Sequence, residues 1–272
     1  MRAIVLGAGA GGGLPQWNCA CAQCRRARAG DPAVQPRTQT GLAVSADGAR
    51  WLLLNASPDL GQQIAATPAL HPRTGPRDSP VAAVLLTGGD VDALAGLLTL
   101  RENQPFALYA GETGLGVLDT NPIFRVLNPE TVPRRTLPLN RKATMTDAAG
   151  VSLDLTADAF VVPGKVPLYL ENDTAPDMAR DGSALGVRIT ETDTGRSLVF
   201  MPGCATIDAE VRARLDGADA VFVDGTLYRD DELIRAGLGE KTGRRMGHAS
   251  MIETVEALAD GAIGQRIFVH IN

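Results

Sequence analysis

The residues of this chain best suited to chemistry are few and unevenly placed: Cys19, Cys21, Cys24, Asp90, Asp92, Asp224, His248 and His270. Cys19, Cys21 and Cys24 have the spacing C-x-C-x-x-C within one short polar stretch. Thiolates so placed suit tetrahedral zinc, with a fourth position left for a residue brought in by the fold. The plainer alternative, small apolar residues in a turn, fits a polar loop less well. Of the four cysteines only Cys204 lies elsewhere, a count and spacing that suit a reducing compartment rather than a secreted disulfide framework. With its fourth position closed by protein, such a zinc is structural.

Asp90 and Asp92 sit in LLTGGDVDALAGLL, between a strand and a helix. Either carboxylate suits a helix N-cap, but one helix start uses only one of them. Asp224 closes the strand AVFVDG, in a position fit for a turn with Gly225 or for a ligand role. His248, in RRMGHASM, either caps the following helix or is simply exposed. His270, in RIFVHIN, ends an apolar strand and must find polar partners or face a cavity, which points to a site. The chain has only three histidines, His71 lying in the proline-rich loop HPRTGPRDSP. That is too few imidazoles for a dinuclear zinc hydrolase. A mixed carboxylate and histidine set suits Fe(II), Mn or Mg better than paired zinc.

The elements that must position these residues are visible in the hydrophobic pattern. MRAIVLG reads as a buried parallel strand, and TGLAVSADG with RWLLLNAS as strands joined by a hairpin at Asp47-Gly48. VAAVLLTG is a further strand, followed by a helical pattern at DALAGLLTLREN. The second half repeats this order: VSLDLTADAFVVPG, GVRITETDTGRSLVFMPG and ADAVFVDGT as strands, DDELIRAGL and SMIETVEALAD as helices, RIFVHIN as a last strand. Two such blocks predict an α/β architecture of two packed sheets with amphipathic helices outside, each covering a sheet. Gly7, Gly9 and Gly12 fit the dinucleotide fingerprint G-x-G-x-x-G, but Gly13, Leu14 and Pro15 follow where a helix must open, so a tight loop beside the site is expected instead.

The 272 residues, 44% of them hydrophobic, suffice for a real core and read as one domain, 1–272. A formal net charge of -5 and the lack of a basic run argue against a nucleic-acid surface. No apolar run reaches the length of a membrane span and the N-terminus does not look like a signal peptide, so a cytoplasmic protein is expected.

Taken together, GAGAGGGLPQWNCACAQC, PRTQTGLAVS, WLLLNASPDL, LLTGGDVDALAGLLTLRE, VPGKVPLYL, MPGCA, DGTLYRDDE, MGHASM and VHIN resemble the PqqB family of pyrroloquinoline quinone (PQQ) biosynthesis. The resemblance runs along nearly the whole chain and implies the metallo-β-lactamase fold, an αββα sandwich. It implies structural zinc at Cys19, Cys21 and Cys24, a pocket metal, Fe(2+), at Asp90, Asp92 and His270, and Asp224 and His248 as catalytic residues lining the same pocket. The activity implied is iron- and O₂-dependent hydroxylation of the tyrosine ring in a Glu-Tyr-derived PQQ precursor, with that precursor and other proteins of the pathway as partners. A carrier of PQQ or its precursor and a lactamase-fold hydrolase are the alternatives. One departure stands out: Ala93 occupies the place, directly after Asp92, where the family pattern has a metal-binding histidine. The family also continues past V-H-I-N, so a truncation at Asn272 is expected, with the fourth zinc ligand beyond His270.

Overall fold

The computed structural model describes residues 1–171 and 180–272. The first sheet has six strands in sequence order: β1 (Arg2–Gly7), β2 (Gly41–Ser45), β3 (Trp51–Leu54), β4 (Val81–Leu85), β5 (Ala107–Ala110) and β6 (Arg134–Thr136). The second runs β12 (Gln265–Val269), β11 (Ala220–Asp224), β10 (Ser197–Met201), β9 (Leu185–Glu191), β8 (Ser152–Val161) and β7 (Lys142–Thr146). Each half pairs its outer hairpin strands antiparallel and its crossover strands parallel: β3, β4, β5 and β6 in one sheet, β10, β11 and β12 in the other. The helices are α1 (Ala22–Arg28), α2 (Leu60–Ala66), α3 (Val91–Leu94), α4 (Glu112–Thr120), α5 (Ala209–Leu215), α6 (Glu232–Arg235) and α7 (Met251–Ala257).

Side-chain alternation along the strands builds the layers. Leu42, Val44, Leu52 and Leu54 face inward against Leu155, Ala157, Val187, Ile189 and Phe200 of the second sheet. Ala43, Trp51 and Leu53, one residue out of phase, face outward and pack with Leu60, Leu94, Leu97 and Leu118 of the helical segments. On the other side Val199, Val221 and Val223 pack against Val211, Leu215 and Leu258. This is the αββα sandwich.

Four sequence expectations need correction. The MRAIVLG strand is neither buried nor parallel: β1 is an edge strand, paired antiparallel to β2 and open to solvent over its first half. The cysteine stretch is not all loop, because Cys24 lies in the first turn of α1 and Cys21 is its N-cap. The DALAGLLTLREN pattern is α-helical only over Val91–Leu94 and continues as a 3₁₀ segment, Ala95–Leu100. DDELIRAGL yields only the short α6, which buries no residue and covers no sheet.

The change of helix type after Leu94 has a packing cause. Ala56 donates to the Ala93 carbonyl at 2.7 Å, and Gly96 donates to the Ala56 carbonyl at 2.8 Å, strapping this segment to the chain just past β3. A Cβ on Gly96 would stand 2.0 Å from the Ser57 carbonyl oxygen and 2.8 Å from backbone atoms of Ala56, so only glycine fits. Gly96→Ala is expected to lower stability by about 1–3 kcal/mol through this overpacking, read as a shifted urea midpoint.

Candidate metal centre

Parallel strands that share an end place their loops together, and the chemical residues follow that rule here. Asp90 and Asp92 come from the loop after β4 and the first turn of α3, Asp224 is the last residue of β11, and His270 follows β12 directly. His248 arrives from the loop between α6 and α7. Asp90 occupies the N-cap position of α3 with extended backbone, yet its side chain makes no capping bond. The N-terminus of α7 is closed by a capping box of Ser250 and Glu253, which leaves His248 unspent on helix capping.

The innermost group is Asp224, only 2% exposed. Its Oδ1 accepts from the Thr226 amide at 3.0 Å and the Thr226 hydroxyl at 2.7 Å, and its Oδ2 from the Cys204 amide at 3.1 Å and His248 Nδ1 at 2.7 Å. Asp224 thus closes the turn past Gly225 and ties it to Cys204 and His248. Thr226 Oγ1 also contacts His270 Nδ1 at 2.8 Å and His248 Nδ1 at 3.1 Å, and the two imidazoles stack with centroids 5.3 Å apart. On its outer edge His270 Nε2 meets Asp92 Oδ2 at 2.8 Å. The His270 backbone takes φ 58°, a conformation rare for non-glycine residues, and its amide donates to Thr40 Oγ1 at 2.8 Å.

Charge and burial pull these groups apart. Burial, reinforced by the neighbouring Asp92 carboxylate, pushes Asp90 up to about 6. Burial would raise Asp92 too, but the bond and charge of His270 more than reverse it, and its carboxyl lies below the usual range. In Asp224 burial is likewise outweighed, chiefly by His248. The carboxylates in turn raise His270 against the effect of its own burial.

Asp90, Asp92, His248 and His270, but not Asp224, line one cavity of about 1120 Å³, together with Gly11, Gly12 and Gly13, the cysteine stretch, Lys165, Tyr169 and Thr226. The glycine turn comes close: a Cβ on Gly11 would stand 3.6 Å from Asp92 Oδ2. No helix opens at Gly12; Leu14 instead exchanges backbone bonds with Arg37. Lys165, which pairs with Glu171, and Tyr169, whose hydroxyl donates to the Gly89 carbonyl at 2.5 Å, were not singled out from sequence, nor was Thr226. The D-x-T spacing after a strand was the available signal for Thr226, since a hydroxyl two residues on can return to the carboxylate.

Among the described residues, two sets of three donors each bring their ligand atoms within 4.8 Å of one another: Cys19, Cys21 and Cys24, and Asp224, His248 and His270. The cysteine set fits zinc. The Cys21 amide donates to Cys19 Sγ and the Cys24 amide to Cys21 Sγ, both at 3.4 Å, the N–H···S bonds that favour thiolates. The Cys24 amide leads the causes that lower the Cys21 thiol, whereas burial raises that of Cys24. The second set is nearer to a closed hydrogen-bond network than to an open ligand set, since Asp224 already accepts from four donors and does not line the cavity. Asp90, Asp92 and His270 do line it. Two carboxylates and one imidazole are donors fit for a hard or intermediate divalent cation such as Fe(II).

The beta-lactamase superfamily domain matches residues 50–271 of the chain. The coenzyme PQQ synthesis protein B of Gluconacetobacter diazotrophicus is 52% identical over 273 residues, covering 99% of this chain and 88% of that protein. Its counterpart from Methylorubrum extorquens is 51% identical, covering 100% and 89%. The 1.98-angstrom crystal structure of Zn(2+)-bound PqqB from Methylobacterium extorquens superposes with a TM-score of 0.94 at 50% identity, over 100% of this chain and 89% of that one. A diphosphatase of the PhnP family, 20% identical with a TM-score of 0.69, shares the fold. The chain belongs to the coenzyme PQQ synthesis protein B family within the beta-lactamase superfamily. Its role lies in PQQ biosynthesis.

Two outcomes follow for the metal-free protein and for zinc. The folded-state value of Asp90, about 6, lies above the ordinary 3.8, so the unfolded chain ionises first and stability falls as pH rises between those values. Asp90→Asn is therefore expected to stabilise the metal-free protein at pH 7 by up to about 3 kcal/mol, at 1.36 kcal/mol per unit, and to be neutral below about pH 4. Urea midpoints across pH check this. Cys21→Ser is expected to release zinc and lower the melting temperature, with zinc content by elemental analysis falling in parallel.

Proposed function

We propose that the cavity binds a PQQ precursor and that Asp90, Asp92 and His270 hold Fe(II) there for hydroxylation of the precursor's tyrosine ring, in which one atom of O₂ enters the ring and the other leaves as water with two electrons and two protons from an external reductant. The observation that carries this reading is that Asp90, Asp92 and His270 line one cavity of about 1120 Å³, large enough for a dipeptide-sized substrate, with Asp92 Oδ2 2.8 Å from His270 Nε2. The iron, when bound, supplies the one-electron and O₂ chemistry that side chains lack. The residues supply orientation and proton handling. Asp224 Oδ2 accepts the Nδ1 proton of His248, which leaves Nε2 as the nitrogen able to take a proton from the phenol ring or its hydroxyl. Lys165, already paired with Glu171, and Tyr169 line the same cavity. The cysteine zinc fixes the loop that forms the facing wall.

One residue favours a second reading, a carrier of PQQ or its precursor. Ala93 lines the cavity with a methyl group that binds no metal, in the place where the family resemblance implies a histidine. Its backbone is committed to the strap onto Ala56, so the chain here serves packing.

The two readings part on metal and turnover. About one equivalent of iron retained outside the cysteine site, with a tyrosine-containing precursor peptide gaining one oxygen atom from ¹⁸O₂, is the hydroxylase result. Tight precursor binding without oxygen incorporation in the iron-loaded protein is the carrier result. Asp92→Ala is expected to abolish retained iron and leave the cysteine zinc in place, as read by elemental analysis.

A further inference from the structure

We infer that Thr226 is a positioning residue that fixes which nitrogen of His270 carries its proton, and so which one is offered to a cation in the cavity. This rests on the reading of Asp90, Asp92 and His270 as the cation's ligands. The geometry allows one assignment of hydrogens. A threonine hydroxyl has one proton to give and two lone pairs with which to accept. Thr226 Oγ1 lies 2.7 Å from Asp224 Oδ1, an ionised oxygen that can only accept, so the hydroxyl proton goes there. The remaining contacts of Oγ1, His270 Nδ1 at 2.8 Å and His248 Nδ1 at 3.1 Å, must then be donors to it. His248 Nδ1 gives its proton mainly to Asp224 Oδ2, at 2.7 Å. His270 Nδ1 has Thr226 as its polar partner and must carry a proton.

With Nδ1 protonated, the lone pair of a neutral His270 resides on Nε2, which points at Asp92 Oδ2, 2.8 Å away. A cation held by Asp92 and His270 would take that lone pair. A histidine ligand whose far nitrogen donates to a fixed acceptor is oriented and made more basic, and such partners typically govern metal affinity about 10- to 100-fold. The acceptor here is a neutral hydroxyl that is itself anchored, through Asp224, to the Cys204 amide and His248. A single hydroxyl thus relays the position of the buried carboxylate to the metal-facing edge of His270. The serine hydroxyl would do the same, and the valine methyl, equal in shape to threonine, cannot.

The experiment compares wild type, Thr226→Val and Thr226→Ser in ¹H–¹⁵N spectra of the imidazole rings without metal, and by chelator-competition titration with Zn(2+). In the wild type, separate Nδ1–H resonances are expected for His248 and His270. Thr226→Val is expected to lose that of His270 while keeping that of His248, and to weaken pocket zinc about 10- to 100-fold with the cysteine zinc retained. Thr226→Ser restores both. The inference is overturned by a wild-type His270 whose Nδ1 bears no proton, by a valine variant that keeps the His270 resonance and the affinity, or by a folded serine variant that behaves as valine does. Unchanged pocket zinc in Asp92→Ala would instead overturn the ligand reading, while the ring resonances still decide the role of Thr226.

Discussion

A carboxylate buried at the end of β11, an interior strand next to the sheet edge, is the constraint on which this site depends. Removing an ion from water costs several kcal/mol unless its oxygens are saturated, and Asp224 is saturated by donors from three separate loops. Cys204 comes from the segment after β10, Thr226 from the turn after β11, and His248 from the loop before α7. Satisfying one charge therefore ties those three loops to one point. From Thr226 the chain of bonds continues to His270 and from His270 to Asp92, passing from the second sheet to the first. One hydrogen-bonded line spans the open end of the sandwich, and its last member faces the cavity.

The opposite wall is held by different chemistry. The glycine turn lies beside Asp92, where a Cβ on Gly11 would make ordinary van der Waals contact at 3.6 Å, and Ala8 and Ala10 exchange backbone bonds with Ile271 beside His270. Beyond it the C-x-C-x-x-C stretch turns into α1, with two N–H···S bonds and the Arg28 guanidinium on the carbonyls of Gln16 and Cys19. In the proposed arrangement the thiolates would hold zinc on this wall, and the carboxylates with one imidazole on the other side would take a second, chemically different metal. The separation of thiolate and oxygen-rich donors is the physical reason for expecting two metals of different character in one protein.

Much of this was legible in the sequence because it follows from periodicity. The inward and outward faces of β2 and β3 alternate as their residues do, and the hairpin at Asp47-Gly48 closes where its turn residues lie. The status of β1 was not legible, since a short apolar run looks alike on an antiparallel edge and in a parallel interior. β5 and β6 are too short to show a period, and Gly114 and Gly116 blur that of α4. In the site, the strand-end aspartates and histidines announced themselves. Their division of labour did not, because the contact of Asp92 with His270 spans 178 positions and is set by how the sheets pack. Thr226 was hidden by its ordinariness: only its partners give it a role.

The proposed function requires two distinct metals, one held by thiolates on one wall and one by Asp90, Asp92 and His270 on the other, while Asp224 stays within the hydrogen-bond network. Anomalous diffraction from crystals of iron-loaded protein, collected at the zinc and iron edges, tests it most directly. The expected maps show a zinc peak bounded by Cys19, Cys21 and Cys24 and an iron peak bounded by Asp90, Asp92 and His270. A pocket peak coordinated by Asp224, or no pocket peak in iron-loaded crystals, would contradict it.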